Sequence, residues 1–219
     1  MDSRDIPADD LFRNYRELHI VNNRLGGYRI TLDGLAQLSD QQNKLSVLDI
    51  GCGGGDMLKE IAIFGRRKKM DFRLKGIDLS SAAIAYARKN CIGFPEIEFL
   101  QADAFDHLKN ENSCDVCTST LFFHHFPNEK IIELLQLLKK CCRKGFIIND
   151  LERNPLAYYS IKLLTQLFSQ SYLVRHDAPL SVLRSFKKKD WHELALKADV
   201  QPESVKWMWA FRYLLVFKN

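Results

Sequence analysis

Three aspartates that end short apolar segments carry side chains able to bind a polar ligand. They are Asp49, Asp78 and Asp103. The segments before them are typical of buried parallel strands, whose carboxyl ends meet at one edge of a sheet. A carboxylate at that edge can accept hydrogen bonds from two ribose hydroxyls or from an amino group. The three positions therefore predict a site for a ligand that contains a nucleoside.

A glycine-rich turn, Gly-Cys-Gly-Gly-Gly at 51–55, follows the first of these segments. Gly51 and Gly53 have no Cβ, so the backbone can turn sharply and approach a ligand closely. The helix predicted next offers unpaired N–H groups at its amino end, where a carboxylate would bind. A dinucleotide fingerprint needs a third glycine where this chain has Asp56, and that carboxylate would lie near a pyrophosphate. The turn therefore counts against NAD and FAD.

The position of Asp49, directly before the turn, suits a ligand with a cationic amino group. S-adenosylmethionine has an amine, a carboxylate, a ribose and an adenine, so it uses every feature described above. Alone, the turn would be a weak signal, and a single aspartate could simply cap a helix. Their ordered occurrence at three strand ends favours S-adenosylmethionine as the cofactor.

Histidines near the same edge could act in methyl transfer, an in-line displacement that depends on alignment of the reacting atoms. A phenol or enol acceptor must also lose a proton, which a histidine can take up. His124 and His125 follow the predicted fourth strand, and only one of two adjacent side chains is expected to face the acceptor. His176 lies in a later charged segment. The alternative for each is a structural role in packing or capping.

Strand and helix patterns alternate along the chain, which predicts an α/β fold with a mostly parallel sheet covered on both faces. The short link between the last two strands favours an antiparallel hairpin. Helices are predicted at 9–25, 28–38, 56–64, 80–89, 129–141 and 189–198, and strands at 45–50, 72–77, 97–101, 115–119, 146–148, 205–209 and 211–217.

Two additions to this pattern are expected. Residues 1–40 are predicted to form a helical cap on a main domain at 41–219. Residues 154–185 contain a long helix with exposed-looking aromatics and a turn around 175–179, which is too long for an ordinary strand-to-helix connection. We therefore expect a helical lid inserted at about 151–186.

Composition is ordinary for a globular domain, with 46% apolar and 27% charged residues in 219. No apolar run approaches the ~20 residues that span a bilayer. The segment Met1 to Asp10 is polar and acidic, unlike a secretory signal, so a cytoplasmic protein is expected. Cys114 and Cys117 fall on opposite faces of a predicted strand, and no second such pair occurs. No metal site is expected.

The net charge of +5 comes partly from basic runs at 66–69 and 187–189. Such runs can bind nucleic acid, and they motivate an RNA methyltransferase as an alternative. Neither run is interleaved with aromatics, so a solvated loop and a helix start are favoured and nucleic acid is not the expected partner.

Four segments resemble motifs of the class I S-adenosylmethionine-dependent methyltransferases. The first is Asp-Ile-Gly-Cys-Gly-Gly-Gly, which resembles motif I, and the others resemble the second motif, the third motif and the segment after the fourth strand. The similarity covers roughly 45–150 and is greatest to the small-molecule group typified by ubiquinone and menaquinone methyltransferases. The four segments are 49–55, 76–80, 101–104 and 118–126.

This resemblance implies a Rossmann-like seven-stranded sheet with an antiparallel last hairpin. It also implies cofactor contacts: Asp49 with the amine, the glycine turn with the methionine part, Asp78 with the ribose, and backbone near the sulfonium from the fourth strand. The residues implied to bind the cofactor are Asp49, Gly51, Cys52, Gly53, Asp78, Leu79, Asp103, Ala104, Thr118 and Ser119.

The identity of the methyl acceptor is narrowed mainly by motifs of other methyltransferases that this chain lacks. The segment 118–121 lacks the Asn/Asp-Pro-Pro-Tyr/Phe pattern of adenine and glutamine amino-group methylation, and neither a cytosine-C5 Pro-Cys nor a protein-arginine glutamate loop occurs. An oxygen or carbon of a small aromatic, polyketide-like or quinone-like molecule is expected. The flanking segments 23–27 and 175–177 weakly resemble methyltransferases of bacterial secondary metabolism. Candidate acceptor-binding residues are Tyr15, Arg24, Arg153 and Arg175.

Other functions stay open at this point. A non-catalytic protein that binds S-adenosylmethionine would share the cofactor site, and an NAD-linked oxidoreductase would share the sheet. A monomer and a homodimer are both compatible with the sequence.

Overall fold

A computed structural model describes residues 8–39, 44–110 and 113–219. Most of the segment Met1 to Asp10, which the sequence argues is not a secretory signal, lies outside these ranges, as does residue 40 of the predicted cap. Within the described ranges, no helix is both long enough and apolar enough to cross a membrane.

The described chain alternates strands and helices in the predicted order. A short 3-10 helix, Phe123–His125, also follows the fourth strand. The helices are α1 Ala8–Arg24, α2 Gly27–Leu38, α3 Asp56–Lys68, α4 Ser81–Asn90, α5 Ala104–Asn110, α6 Asn128–Cys141, α7 Pro155–Phe168, α8 Tyr172–Arg184 and α9 Lys188–Lys197. The strands are β1 Lys44–Ile50, β2 Asp71–Asp78, β3 Ile97–Gln101, β4 Cys114–Thr120, β5 Cys142–Leu151, β6 Ser204–Met208 and β7 Arg212–Lys218.

All seven strands form one sheet, in the order β3-β2-β1-β4-β5-β7-β6. β7 runs antiparallel to both of its neighbours, whereas the strands from β3 to β5 pair in parallel. The order reverses between β1 and β4, the switch point beside which ligands bind in open α/β sheets. The predicted mostly parallel sheet with an antiparallel last hairpin is confirmed.

Two apolar clusters cover the two faces of the sheet. One contains α6 and α9 against β4, β5 and β7, and its largest fully buried side chains include Trp191 and Phe123. The other contains α2 and α3 against β1 and β2. A Cβ built on Gly34 of α2 would lie 2.8 Å from Ile147, so this glycine allows α2 to pack closely on the sheet. The second N-terminal helix, α2, is thus part of the main core.

The helix α1 lies across the carboxyl edge of the sheet and contacts α8. Leu11 and Tyr15 of α1 form a small buried cluster with Ala83 of α4 and Leu173 of α8. Glu17 adds a polar link, because its Oε1 accepts from the backbone N–H groups of Gln170 at 3.0 Å and Ser171 at 3.1 Å. α1 and the junction between α7 and α8 are therefore held together over the predicted ligand edge.

The expected turn around 175–179 is wrong. These residues lie inside α8, where Pro179 is buried, and the chain turns earlier, at Ser169–Ser171. Ser171 caps α8 through its hydroxyl, and Glu17 binds the same junction, so the helix begins well before the proline. The segment from α7 to α8 follows β5, as the predicted lid does, and α7 exposes apolar side chains such as Leu163 and Phe168.

Three smaller differences between the predicted and the observed elements have local causes. α5 is absent from the predicted elements because its seven residues carry too little periodicity. β5 is longer than predicted since its amino end includes charged residues. The basic run at 66–69 is the last turn and C-cap of α3 rather than a loop, where cations complement the helix dipole.

The contact between Glu17 and the α7–α8 junction predicts a specific loss on Glu17→Ala. Removing the carboxylate leaves the N–H of Gln170 unpaired and takes one of two acceptors from the N–H of Ser171, so we expect unfolding to cost about 1–2 kcal/mol less. Amide exchange at Gln170 should accelerate about tenfold, because one lost hydrogen bond of this size changes the opening equilibrium by that factor, and exchange at Ser171 should accelerate less. Denaturant unfolding and hydrogen exchange measure the two effects.

Asp33→Ala is the matched control, because Asp33 is an exposed carboxylate of α2 whose side chain caps nothing. It should change the unfolding free energy by less than about 0.5 kcal/mol. Equal behaviour of the two variants would contradict a linking role for Glu17.

Candidate active site

The glycine turn joins β1 to α3 in a conformation that side chains rarely adopt. Gly51 has φ +66° and Gly53 has φ +50°. A Cβ on Gly51 would overlap the ring of Phe122, whereas a Cβ on Gly53 would meet only Tyr15, at 3.7 Å. Gly51 therefore packs against the segment after β4, and Gly53 faces space beneath α1. The N–H of Cys52 donates to the carbonyl of Ile77 at 3.0 Å, which ties the turn to β2.

Asp78, at the end of β2, reaches across to the same turn. Its Oδ2 accepts from the N–H of Gly53 at 3.0 Å and its Oδ1 accepts from the N–H of Ser80 at 2.9 Å. Burial raises the pKa of this carboxyl, although the two N–H groups act in the opposite direction. The geometry places a carboxylate with both oxygens oriented at the junction of two strand ends, where a ribose would bind in an open α/β sheet.

Asp49 lies deeper and is only 2% exposed. Its Oδ1 accepts from the hydroxyl of Thr118 at 2.7 Å. Burial raises the pKa of Asp49 to about 7, and the negative charge of Asp78 adds to the effect. A cationic ligand group nearby would favour the ionised form of Asp49, so this side chain is suited to form an ion pair with an amine.

Tyr15 of α1 closes this part of the site from above. The residue is 6% exposed, and its ring lies 5.4 Å from that of Tyr86 in α4. Burial, followed by the charge of Asp78, raises the pKa of the phenol, which therefore stays neutral. Of the acceptor-binding candidates on α1, Tyr15 therefore lies beside the glycine turn, whereas Arg24 is exposed in the last turn of the helix.

The third carboxylate has a clear structural partner. Oδ1 of Asp103 accepts from the N–H groups of Phe105 at 2.8 Å and Asp106 at 3.1 Å, so it caps α5. Because only Oδ1 makes these bonds, a role at an adenine edge stays a prediction. Leu79 is 69% exposed beside Asp78, while Ala104 is buried.

These features fit S-adenosylmethionine. The turn around Gly53 leaves backbone open beside the amino end of α3, Asp78 presents a carboxylate at the ribose position, and Leu79 offers an apolar surface for an adenine. At the sulfonium position, Thr118 is buried, and the hydroxyl oxygen of Ser119 has no partner in the described part of the chain. The fit rests on Gly53 and Asp78 most of all.

A buried histidine–aspartate pair lies at the next strand ends. Nδ1 of His124 is 2.7 Å from Oδ1 of Asp150, and the two side chains are 3% and 0% exposed. Asp150 also accepts from the N–H groups of His124 and Leu151. Although burial acts to raise it, the net pKa of Asp150 is lowered by His124 and these donors. With Nδ1 hydrogen-bonded to an ionised carboxylate, Nε2 is the ring nitrogen that can take up a proton.

The other predicted histidines differ from His124. His125 is exposed, with its ring 4.3 Å from that of His124. His176 is on α8 with 76% of its side chain exposed, and its Nδ1 lies 2.9 Å from Asp177. Of the three candidates, only His124 is buried at the sheet edge.

Two predicted acceptor-binding arginines have structural partners. Arg153 donates to the carbonyl of Ser185 at 2.9 Å and to Asp190 at 2.7 Å, so it connects the end of β5 with the start of α9. Arg175 donates to the carbonyl of Ser169 at the α7–α8 junction. Their roles in binding an acceptor stay predictions, with these bonds favouring structural ones.

Three residues of the site were not singled out from the sequence. Asp150 follows a predicted strand, but its pairing with His124 crosses 26 positions. Asn149 of β5 and Arg212 of β7 are fully buried polar groups at the same edge. A charged residue within the apolar run 211–217 was the available signal for Arg212, because arginine is almost never fully buried without a partner.

A separate cleft of about 570 Å³ lies at the opposite, amino edge of the sheet, with Ser46, Asp71 and Cys114 in its lining. Ligands of open α/β sheets bind beyond the carboxyl ends of the strands, so this cleft is not the candidate site. Within the described ranges, no three histidine, cysteine or acidic side chains come together as metal ligands.

The bridge between Asp78 and Gly53 predicts that Asp78→Ala weakens binding of S-adenosylhomocysteine at least tenfold. The variant loses the acceptor for both ribose hydroxyls, and one to two charge-assisted hydrogen bonds are worth that factor or more. Titration calorimetry measures the affinity, and circular dichroism establishes that the fold is kept.

Asp71→Ala is the control for this comparison, because Asp71 is an exposed carboxylate at the opposite end of the same strand. It should leave the affinity within about twofold. An unchanged affinity of Asp78→Ala would remove the ribose assignment.

The raised pKa of Asp49 predicts a pH-dependent stability. Between the ordinary value of 3.8 and about 7, the folded protein holds a proton that the unfolded chain releases. The free energy of unfolding therefore falls as the pH rises through this window. Relative to Asp49→Asn, the native protein should lose about 2 kcal/mol between pH 5 and pH 7 in denaturant unfolding. Parallel pH curves for the two proteins would show that Asp49 is ionised throughout.

Comparison with known proteins places these observations in a family. The family model described as a methyltransferase domain matches residues 47–145. The ubiquinone biosynthesis O-methyltransferase of Aeromonas salmonicida is 25% identical over 170 residues, covering 76% of this chain and 63% of that protein. The enzyme of the same name from Paracidovorax citrulli is 30% identical over 155 residues, covering 68% and 58%. The chain thus spans about three fifths of the length of these relatives.

A solved structure with the same fold is that of magnesium protoporphyrin IX methyltransferase from Synechocystis PCC 6803 with bound S-adenosylhomocysteine. The TM-score is 0.61 at 15% identity, over 90% of this chain and 84% of that one. The match at 47–145 contains the glycine turn, Asp78 and Asp103. Together, the motifs, the strand order and the sequence matches support a class I S-adenosylmethionine-dependent methyltransferase.

Proposed function

We propose that the protein transfers a methyl group from S-adenosylmethionine to an oxygen or carbon of a small aromatic or quinone-like molecule. The observation that carries the proposal is the buried pair of His124 and Asp150, which lies at the strand ends beside those that fit the cofactor. A neutral imidazole held by an ionised carboxylate is an effective acceptor for a proton.

In the proposed mechanism, cofactor binding and proton transfer take place at different strand ends of the sheet. When bound, S-adenosylmethionine supplies an electrophilic methyl group on its sulfonium. Gly53 and Asp78 would hold the cofactor at the β1 and β2 ends, and Asp49 would bind its amine. Asp150 fixes the orientation of His124 through Nδ1, which leaves Nε2 to accept the proton of an acceptor hydroxyl or acidic C–H group.

The apolar character of the acceptor is supported by the surroundings of the pair. Phe122, Phe123 and Phe126 form edge-to-face contacts around the segment after β4. α7 also exposes an apolar face, with Leu156, Tyr159 and Leu167 each more than half exposed. The relatives are named for ubiquinone biosynthesis and the structural neighbour is named for magnesium protoporphyrin IX, and both names are in keeping with an aromatic or quinone-like acceptor.

The RNA alternative has less support. Arg66, in the first basic run, donates to both oxygens of Glu96 and lies 4.5 Å from the ring of Phe94. Its charge is therefore already paired within the fold. The second run begins α9, with Lys187 as N-cap. Neither arrangement presents a basic surface with aromatic platforms.

The proposed base predicts that His124→Gln lowers kcat about 10²- to 10⁴-fold, the usual contribution of a general base. The assay uses 3,4-dihydroxybenzoate and 1,4-dihydroxy-2-naphthoate as acceptors, with mass spectrometry of the methylated product. The affinity for S-adenosylhomocysteine should stay within about threefold, because the proposed cofactor contacts lie at the ends of β1 and β2.

His125→Gln tests the neighbouring, exposed ring and should retain activity within about threefold. If both variants keep full activity, His124 is not the base. If the native protein binds S-adenosylhomocysteine but methylates neither acceptor nor any related phenol, the assigned acceptor class is wrong.

A further inference from the structure

Arg212 is a buried cation that the proposed methyl transfer does not use. It lies at the start of β7 and is 3% exposed. Its Nη2 donates to the side-chain oxygen of Asn22 at 2.6 Å, but Nη1 has no partner in the described part of the chain. Burial lowers the pKa of Arg212 to about 10, a value at which it is still charged at neutral pH. A buried donor of this kind is costly unless something accepts from it.

The unpartnered nitrogen faces the amino end of α2. A Cβ built on Gly27, the first residue of α2, would lie 3.1 Å from both Cζ and Nη1 of Arg212. The N-cap is Gly26, with φ +71°, so no side chain caps the helix, and its first turn has no acidic residue. The positive end of the helix dipole and a guanidinium therefore meet at one place, which favours an anion there.

In the described part of the chain, no acidic side chain forms a hydrogen bond with Arg212. The nearest interacting carboxylate, Asp150, is already bound to His124 and to two backbone N–H groups. The phenol of Tyr28 also interacts with Arg212, but burial raises its pKa and it therefore carries no charge. Asp150 therefore acts on Arg212 only through its charge, and Nη1 of Arg212 is left for a ligand.

The site adjoins the proposed base. Asn149 donates to the carbonyl of Gly27 at 2.8 Å, and the next residue of β5 is Asp150. The side-chain oxygen of Asn149 is also without a partner among described residues. Beside Gly26 there is open space, because nothing lies within 4 Å of a Cβ built there. The helix end therefore has open space at Gly26 and adjoins, through Gly27, both Arg212 and the strand that carries Asp150.

We propose that Arg212 and the amino end of α2 bind a carboxylate, and that it belongs to the methyl acceptor. The inference rests on the proposed function and deepens it by naming the acceptor as an aromatic acid. The other source of the same chemistry is the carboxylate of the cofactor's amino-acid part. Arg212 is a binding residue in this account, while His124 keeps the proton transfer.

The test uses the full chain saturated with S-adenosylhomocysteine. Calorimetry measures binding of 3,4-dihydroxybenzoate and 1,4-dihydroxy-2-naphthoate against their neutral amides. We expect at least one acid to bind ten times more tightly than its amide. Arg212→Met should abolish that preference, and Arg212→Lys should keep part of it. Arg143→Met is the control, since its guanidinium is bound to Asp115 and has no part in the proposed site.

The affinity for S-adenosylhomocysteine shows whether the bound carboxylate belongs to the acceptor or to the cofactor. Arg212→Met should change the affinity for S-adenosylhomocysteine less than threefold. A loss of more than tenfold, with unchanged affinity for 5′-methylthioadenosine, would assign the carboxylate to the cofactor and overturn the proposal. Equal binding of every acid and its amide to the saturated native protein would overturn it too. Absence of any S-adenosylhomocysteine binding would instead contradict the proposed function itself.

If Arg212→Met shows no cooperative melting transition, the comparison of acid with amide in Arg212→Lys decides. An undiminished preference there would also contradict the proposal, because an ammonium cannot reproduce two guanidinium donors.

Discussion

The hydrogen bond from the Gly53 N–H to the Asp78 carboxylate holds together the part of the site on which the rest depends. It exists because β1 and β2 pair in parallel with Asp49 opposite Gly76 and Ile50 opposite Ile77. That register brings the end of β2 level with the glycine turn. A slip of one residue would turn Asp78 to the other face of the sheet. The cofactor assignment therefore depends on strand pairing as much as on the glycines.

Charge is distributed unevenly along this edge. The cofactor end contains carboxyl groups, Asp49 and Asp78, whose pKa values burial raises. The far end contains His124 paired with Asp150, and Arg212 with one nitrogen unsatisfied. A cationic amino group suits the first end and an anionic acceptor suits the second. Under the proposed function, the same sheet edge would separate the cofactor from the acceptor by charge.

Local patterns predicted much of the fold. Apolar segments ending in aspartate correspond to β1, β2 and β3, and the antiparallel hairpin of β6 and β7 is confirmed. The signal is strongest in β1 and β7, because most of their residues are buried. The segment around 175–179 misled, since its charges and proline resemble a turn while contacts from α1 keep it helical. Local signals do not contain such tertiary effects.

Contacts between side chains far apart in the chain could not be predicted from the sequence either. His124 was a candidate, but its partner Asp150 and the location of Arg212 against Gly27 depend on elements far apart in the chain. Arg153 was predicted to contact an acceptor, and its bond to Asp190 depends on where α9 begins. In each case the residue type indicated a functional group, while the tertiary fold decided what it contacts.

The central claim is that the turn at 51–55 binds an adenosyl amino acid rather than a dinucleotide. Titration calorimetry of the native protein with S-adenosylhomocysteine and, separately, with NAD⁺ tests it most directly. The account predicts saturable binding of one S-adenosylhomocysteine per chain and no heat of binding with NAD⁺. Binding of NAD⁺ with no affinity for S-adenosylhomocysteine would contradict it.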